Sequence, residues 1–311
     1  MKKGDVESRG KIVIIGAIVL LGMLELVSRY ALGLGEPPLY IAHPTIEYMF
    51  KPNQEVSRFH NKIIINEYGM RSSDFSAQRE DSGELRIMMF GDSVLNGGSL
   101  TSHEKLASTL LQKELNRKLK KPVIAGNISA GSWGPGNWLG YVNQFGFFDA
   151  DIVVVLMSGH DIADNPQYFP LSSNTHPIKK PVSAVIEGVE RYLPRYFDFT
   201  STPIKDKKKL TGFEIEKGIS YFDQFLKLAL KQTKKVIVIY HPEQDELKLK
   251  THHQGYDYIN KVVNDNGLVL KEMMGAYSNS IAKGSNIYID NIHINEIGQN
   301  VLFDYLVDNL I

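Results

Sequence analysis

The segment RIMMFGDSVLNGG, residues 86–98, carries an unbroken apolar run straight into Gly91-Asp92-Ser93. A run without polar alternation suits a strand buried on both faces, as in a parallel sheet. Gly, Asp and Ser all favour turns. The carboxyl end of a parallel strand, however, is also where open α/β sheets build their sites. A serine there is either a turn residue or a presented nucleophile.

Outward from this segment the chain alternates. Apolar strand candidates recur in PVIAGNIS (122–129), DIVVVLM (151–157) and KKVIVIYHP (234–242). Between and after them lie stretches with helical periodicity, at 101–121, 137–147, 212–232, 255–265, 270–282 and the C-terminal 294–311. Repeated strand–helix units predict a parallel sheet covered on both faces by helices. Residues 165–211 break the rhythm with prolines, aromatics and the lysine run PIKDKKKL (203–210), and read as an insertion near the top of the sheet. Residues 35–84 are punctuated by Pro37, Pro38, Pro44 and Pro52 and read as an irregular neck, with a short strand and a Gly69 turn inside it.

The 311 residues contain 35 Lys+Arg and 35 Asp+Glu, so no global charge points to nucleic acid. There is no cysteine, which excludes disulfides, thiolate nucleophiles and thiolate metal sites. At the N-terminus Lys2, Lys3, Arg9 and Lys11 precede IVIIGAIVLLGML (12–24), the pattern of a signal peptide or signal anchor. Extended to Leu34, the apolar stretch takes in Glu25 and Arg29, which must pair or snorkel near the far interface. Ala31-Leu32-Gly33 resembles a small-x-small cleavage site, but an uncleaved anchor is the reading preferred. The expected organisation is a cytoplasmic segment 1–11, a transmembrane anchor 12–34, an extracytoplasmic neck 35–84 and a domain 85–311. The basic flank predicts a cytoplasmic N-terminus and an exported remainder, periplasmic or extracellular.

Read in order, the strand ends offer Gly91-Asp92-Ser93, NISAGSWGPGN (127–137), SGHD (158–161), YHPE (240–243) and DNIHINEIG (290–298). Ser93 acts as a nucleophile only if a base reaches it. Asp290 precedes His293 by three residues, a spacing that lets a turn bring the carboxylate to the imidazole Nδ1–H and leaves Nε2 facing outward. Asp92 and Asp161 are expected to hydrogen-bond their loops. Trp133 and Trp138 read either as sugar-stacking platforms or as core. His241, His252 and His253 form no ordinary metal spacing. The segment around Ser93 lacks the Gly-x-Ser-x-Gly elbow, and GSWGPG lacks dinucleotide-turn spacing.

Gly91-Asp92-Ser93 near the start of the domain, with Asp290-x-x-His293 and INEIG near its end, resembles the SGNH (GDSL-type) hydrolases over about residues 85–311. The resemblance implies a three-layer, flavodoxin-like α/β fold with a central parallel sheet, here preceded by the membrane helix. It implies a catalytic triad of Ser93, His293 and Asp290, without metal or cofactor. It further implies an oxyanion hole from the N–H groups of Ser93 and Ser132, with Gly131 as the alternative to Ser132. The family's third block is Gly-x-Asn-Asp, whereas this chain has Gly159-His160-Asp161, so the resemblance assigns the asparagine's oxyanion contact to His160, whose neutral imidazole N–H can donate likewise; a second base and a site without activity are the alternatives. The function implied is a serine esterase acting on acyl groups, O-acetyl groups of a cell-surface or secreted polysaccharide among them. The partners are then an acylated carbohydrate or other ester and the membrane. An O-acyltransferase with the same triad, and a non-catalytic polysaccharide-binding or assembly protein, are the alternatives.

Overall fold

The computed structural model describes residues 3–193 and 212–310. Helix α1 spans Lys3–Leu26 and continues as a π-helical turn, Val27–Ala31. Within it, the 22 residues Gly10–Ala31 have a mean hydropathy of 2.3 and none is buried by the rest of the chain. At 1.5 Å per residue such a helix measures about 33 Å, long and apolar enough to cross a membrane.

Two antiparallel hairpins follow, β1 (Tyr40–His43) with β2 (Glu47–Phe50), and β3 (Gln54–Arg58) with β4 (Asn61–Ile65). This stretch was expected to be an irregular neck. Instead Ile46, Met49, Phe50, Ile63, Ile65 and Met70 are buried in the same core as the central sheet. The hairpins are therefore part of the domain's packing, held there by apolar burial that outweighs the prolines between them.

The sheet comprises β5 (Leu85–Gly91), β6 (Val123–Ser129), β7 (Ile152–Met157), β8 (Lys235–Tyr240) and β9 (Leu270–Glu272). Its order is β6-β5-β7-β8-β9, and every pairing is parallel. This is the doubly wound order in which the chain starts near the middle and reverses direction, so β5 and β7 flank a topological switch point. The connecting helices are α2 (Ser93–Asn96), α3 (Ala107–Leu119), α4 (Pro135–Phe145), α5 (Ala184–Glu187), α6 (Gly212–Gln232), α7 (Gln244–Leu249), α8 (Gly255–Asp265), α9 (Met274–Ala282) and α10 (Glu296–Leu310). Alternate strand residues face opposite layers. Phe90, Val155 and Val238 pack with α4, α6, α8 and the hairpins. Met89, Val154 and Ile239 pack with α3, α9 and α10. The fold is thus the three-layer α/β sandwich expected. Of the insertion expected at 165–211, residues 194–211 lie outside the described residues.

Candidate active site

Ser93 opens α2 directly after β5, at the switch point. Asp92 caps that helix, its Oδ1 accepting from Val94 N at 2.8 Å. A side chain at Gly91 would place Cβ 2.7 Å from Leu95 Cβ and 3.1 Å from the Leu156 carbonyl, so the sharp strand-to-helix passage requires glycine there. Behind the passage, Trp138 Nε1 donates to Gly91 O at 3.1 Å. Trp138 and Trp133 are both fully buried, so the sugar-platform alternative falls and both rings serve as core.

The loop between α9 and α10 brings Asp290 and His293 to the serine. Asp290 Oδ1 accepts from the backbone N–H groups of Ile292 and His293 at 2.8 and 2.7 Å, which winds the loop into a tight turn. Asp290 Oδ2 lies 2.7 Å from His293 Nδ1, and His293 Nε2 lies 2.9 Å from Ser93 Oγ. Burial raises the Asp290 carboxyl, but the backbone and ring N–H groups of His293 outweigh it and hold the carboxyl below its ordinary value. The turn is braced from inside by His241, wholly buried, whose Nε2 lies 2.9 Å from the Ile292 carbonyl and whose Nδ1 lies 3.1 Å from Tyr277 Oη. Gly298 lets α10 begin against the loop, since a Cβ there would lie 2.5 Å from Ile294 Cβ.

His160 sits one carboxylate away from the serine. Asp92 Oδ2 is 3.3 Å from Ser93 Oγ and 3.7 Å from His160 Nε2. The same Nε2 lies 3.3 Å from Asp161 Oδ1, while Nδ1 lies 3.2 Å from Glu243 Oε1. Burial opposes protonation of this ring, yet Asp161, Asp92 and Glu243 together raise its pKa well above the ordinary histidine value. Both ring nitrogens are turned toward carboxylates, an arrangement that favours the protonated ring over the neutral imidazole anticipated from the sequence. The two buried aspartates divide: burial and the Asp92 charge push the Asp161 carboxyl up, whereas His160 overcomes burial at Asp92 and holds it down. Asp161 also ties its loop, accepting from Ser158 N at 2.7 Å. Asp92 and Asp161 thus shape loops as expected, and in addition face the His160 ring.

Ser132 follows β6 with a positive φ of 57°, a backbone shape that glycine adopts freely. Gly131, the alternative, keeps a negative φ and offers its carbonyl to Tyr48 Oη. Ser132, Gly159, His160, Glu243, His253 and Ile292 line a cleft of about 670 Å³, whose wall also includes Glu47, Tyr48, Asp164 and Glu214.

Two members of this arrangement escaped sequence reading. Glu243 joins His160 to the Asp290–His293 turn, because Asn291 Nδ2 donates to Glu243 Oε2 at 2.7 Å. His253, distant in sequence, comes within 3.4 Å of Glu243 and 3.3 Å of Asp245. The only signal for Glu243 was its place at the end of β8. Among the described residues, Asp92, His160 and Asp161 form one group with metal-ligating atoms within 4.8 Å, and Glu243, Asp245 and His253 another. The first group is arranged as an ion-pair cluster, with both His160 nitrogens toward carboxylates.

No family model matches the chain, and no curated protein matches it in sequence. Among solved structures it is similar to LAE5, an alpha/beta hydrolase enzyme from the metagenome of Lake Arreo, Spain, with a TM-score of 0.46 and 17% identity, covering 73% of this chain and 94% of that one. Axe2, an acetylxylan esterase from Geobacillus stearothermophilus, matches with a TM-score of 0.45 and 10% identity over 72% of this chain and 93% of its own. A lipase/acylhydrolase from Enterococcus faecalis matches with a TM-score of 0.44 and 13% identity over 73% of this chain and 95% of its own.

Proposed function

We propose that this chain is a membrane-anchored, extracytoplasmic serine esterase that removes acyl groups from a polyhydroxylated substrate, an acylated polysaccharide in particular. The observation that carries the reading is the line Ser93 Oγ, His293 Nε2, His293 Nδ1, Asp290 Oδ2, with contacts of 2.9 and 2.7 Å. In this reading His293 takes the Ser93 proton as Oγ attacks the ester carbonyl, and Asp290 stabilises the imidazolium that forms. His293 then returns the proton to the leaving alkoxide, and a water deprotonated by the same ring releases the acyl group. The developing oxyanion is met by the N–H of Ser93 in the first turn of α2, where N–H groups have no intrahelical acceptor. The Ser132 N–H and the His160 Nε2–H, which sits only loosely against Asp161 and Asp92 at 3.3 and 3.7 Å, complete the oxyanion site. Carboxylates on the cleft wall, Glu47 and Glu243 among them, suit a ligand rich in hydroxyl donors.

The anchor is retained in this proposal because the segment that follows α1 is built into the domain. Arg58 Nη1 lies 3.4 Å from Gly33 O, Phe59 N donates to the same carbonyl at 3.1 Å, and Leu34 is buried. The test uses the full chain in detergent micelles, with p-nitrophenyl acetate and a fluorophosphonate probe. Wild type is expected to hydrolyse the ester and to be labelled. Ser93→Ala is expected to lose labelling and at least about 10³-fold in kcat/KM, and His293→Ala a comparable factor. Folded wild type that neither turns over nor labels refutes the reading. Labelling with turnover only on addition of a sugar acceptor replaces it with acyl transfer.

A further inference from the structure

Helix α5 and the helical turn that prolongs it through Leu193 have an outer face unlike their inner one. Ile186, Val189 and Leu193 recur at three- and four-residue spacing and are 43, 52 and 45% exposed; Val182, just before the helix, is 91% exposed. On the inner face Ala184 and Glu187 are buried. The Glu187 carboxylate receives Arg58 at 2.7 and 2.9 Å, Arg191 at 2.7 Å and the Gly35 N–H at 2.6 Å. The segment is therefore pinned with four aliphatic side chains outward. In water such a contiguous patch is a liability; against another apolar phase it is a contact.

The position of the patch identifies that phase. The two oxygens of Glu25, in α1, accept from Ala184 N at 3.0 Å and Val185 N at 3.2 Å, and Glu25 also receives Arg29 Nε at 2.6 Å. These contacts satisfy a carboxylate inside the apolar stretch, and they set the start of α5 level with Glu25. Glu25 follows Lys11, the last basic residue before the apolar run, by fourteen residues. That is a rise of about 21 Å along the helix, against a hydrocarbon core of about 30 Å. With Lys11 among the inner headgroups, the start of α5 lies at or beneath the outer interface, and any tilt of α1 lowers it further. Exposed Leu26, Val27, Tyr30 and Leu32 continue the apolar surface from α1 toward the patch.

We propose that Val182–Leu193 lies in the outer leaflet of the membrane that α1 crosses, as an amphipathic interfacial helix. Such helices sink an aliphatic face to the headgroup–acyl boundary while their inner face stays with the protein. The domain then rests on the bilayer at two points, α1 and α5, and is held in one orientation to it. This inference depends on the anchor reading above, and the experiment separates the two.

The chain has no cysteine, so single cysteines report cleanly. Full-length Val182→Cys, Ile186→Cys and Val189→Cys, each carrying a nitrobenzoxadiazole fluorophore, are reconstituted in phosphatidylcholine/phosphatidylglycerol vesicles. Leu20→Cys marks the anchor and Lys261→Cys on α8 marks solvent. Doxyl-labelled lipid is expected to quench positions 182, 186 and 189 at least twofold more than position 261, which aqueous iodide quenches instead. If position 20 is quenched by lipid while 182, 186 and 189 respond to iodide, the patch faces water and the proposal is wrong. If those three positions escape both quenchers, protein covers the patch, and the proposal is equally wrong. If position 20 itself is not quenched by lipid, the anchor reading fails and this proposal falls with it.

Discussion

His160 stands among Asp92, Asp161 and Glu243, and its proximity lowers the pKa of the first and last of these despite their burial. Two buried carboxylates near a nucleophile would otherwise oppose an oxyanion. Replacing the ring by alanine removes both the proposed donor and the compensating cation, so His160→Ala is expected to lower kcat/KM by roughly 10²- to 10³-fold. His160→Asn restores an N–H donor without the charge. It is expected to recover to within about tenfold of wild type while costing stability of about 1–3 kcal/mol through the uncompensated carboxylates. Ester hydrolysis and chemical denaturation of the three proteins check both limbs. At Ser132 the backbone alone is in play. A non-glycine residue at φ 57° is strained by about 1 kcal/mol, and a glycine relieves this while spending part of it on unfolded-chain entropy. Ser132→Gly is therefore expected to leave kcat unchanged, because the N–H remains, and to raise stability by up to about 1 kcal/mol. Ser132→Val is expected to lower it by more than that, both read from denaturation midpoints.

The short 3-10 turn His103–Lys105, ahead of α3, carries an element-scale pH response. His103 is buried with Nδ1 unpartnered and Ser73 Oγ 3.3 Å from Nε2. Burial, and then the nearby Arg71 guanidinium, push its pKa from 6.5 down to about 4, partly opposed by Glu104. The folded state thus disfavours the proton that the unfolded chain accepts below its ordinary value. The stability contribution is complete above about pH 6.5 and is lost as pH falls toward 4. Between pH 7.5 and 5 the loss is about 2 kcal/mol. His43, His176 and His241 are shifted down as well and His160 up, so the observable is a difference. His103→Gln is expected to flatten the denaturation-derived stability profile by that amount relative to wild type, and equal slopes would sink the assignment. The same element scale shows where sequence reading succeeds. β5, β7 and β8 were legible because their apolar runs, Ile87–Phe90, Ile152–Met157 and Val236–Tyr240, are buried on both faces. Of the hairpins only the short strand now seen as β4 was legible; β1–β3 are short and interrupted by prolines and polar positions, and packing against the sheet reveals them. Ser93, Asp290 and His293 were readable together because each lies within a few residues of a strand end or a capped turn. Glu243 and His241 were not, because their roles arise from contacts across 36 to 83 residues of chain.

At the scale of the whole molecule, one buried ion pair joins three parts that the sequence keeps far apart. Arg58 at the end of β3 and Glu187 in α5 are each 1% exposed, and their bidentate contact also gathers Gly33 and Gly35 after α1 and Tyr192 beyond α5. A buried pair contributes little net stability when formed, because both ions lose water, but breaking it by removing one partner costs about 3–5 kcal/mol. Arg58→Met leaves Glu187 with Arg191 and the Gly35 N–H only, and is expected to fall in that range. The double variant Arg58→Met/Glu187→Met removes the stranded charge. It is expected to regain part of the loss, though not all, since the Gly35 N–H then lacks its acceptor. Neither residue approaches Ser93, so turnover of p-nitrophenyl acetate at a temperature where all variants are folded is expected to stay within about twofold of wild type. Thermal unfolding and turnover measured on the same micellar samples check this. If the single variant kept its melting temperature, the knot between the segment after α1, the hairpin and α5 would be dispensable. If it kept its fold but lost its activity, the orientation of these parts would reach the triad through contacts other than those described.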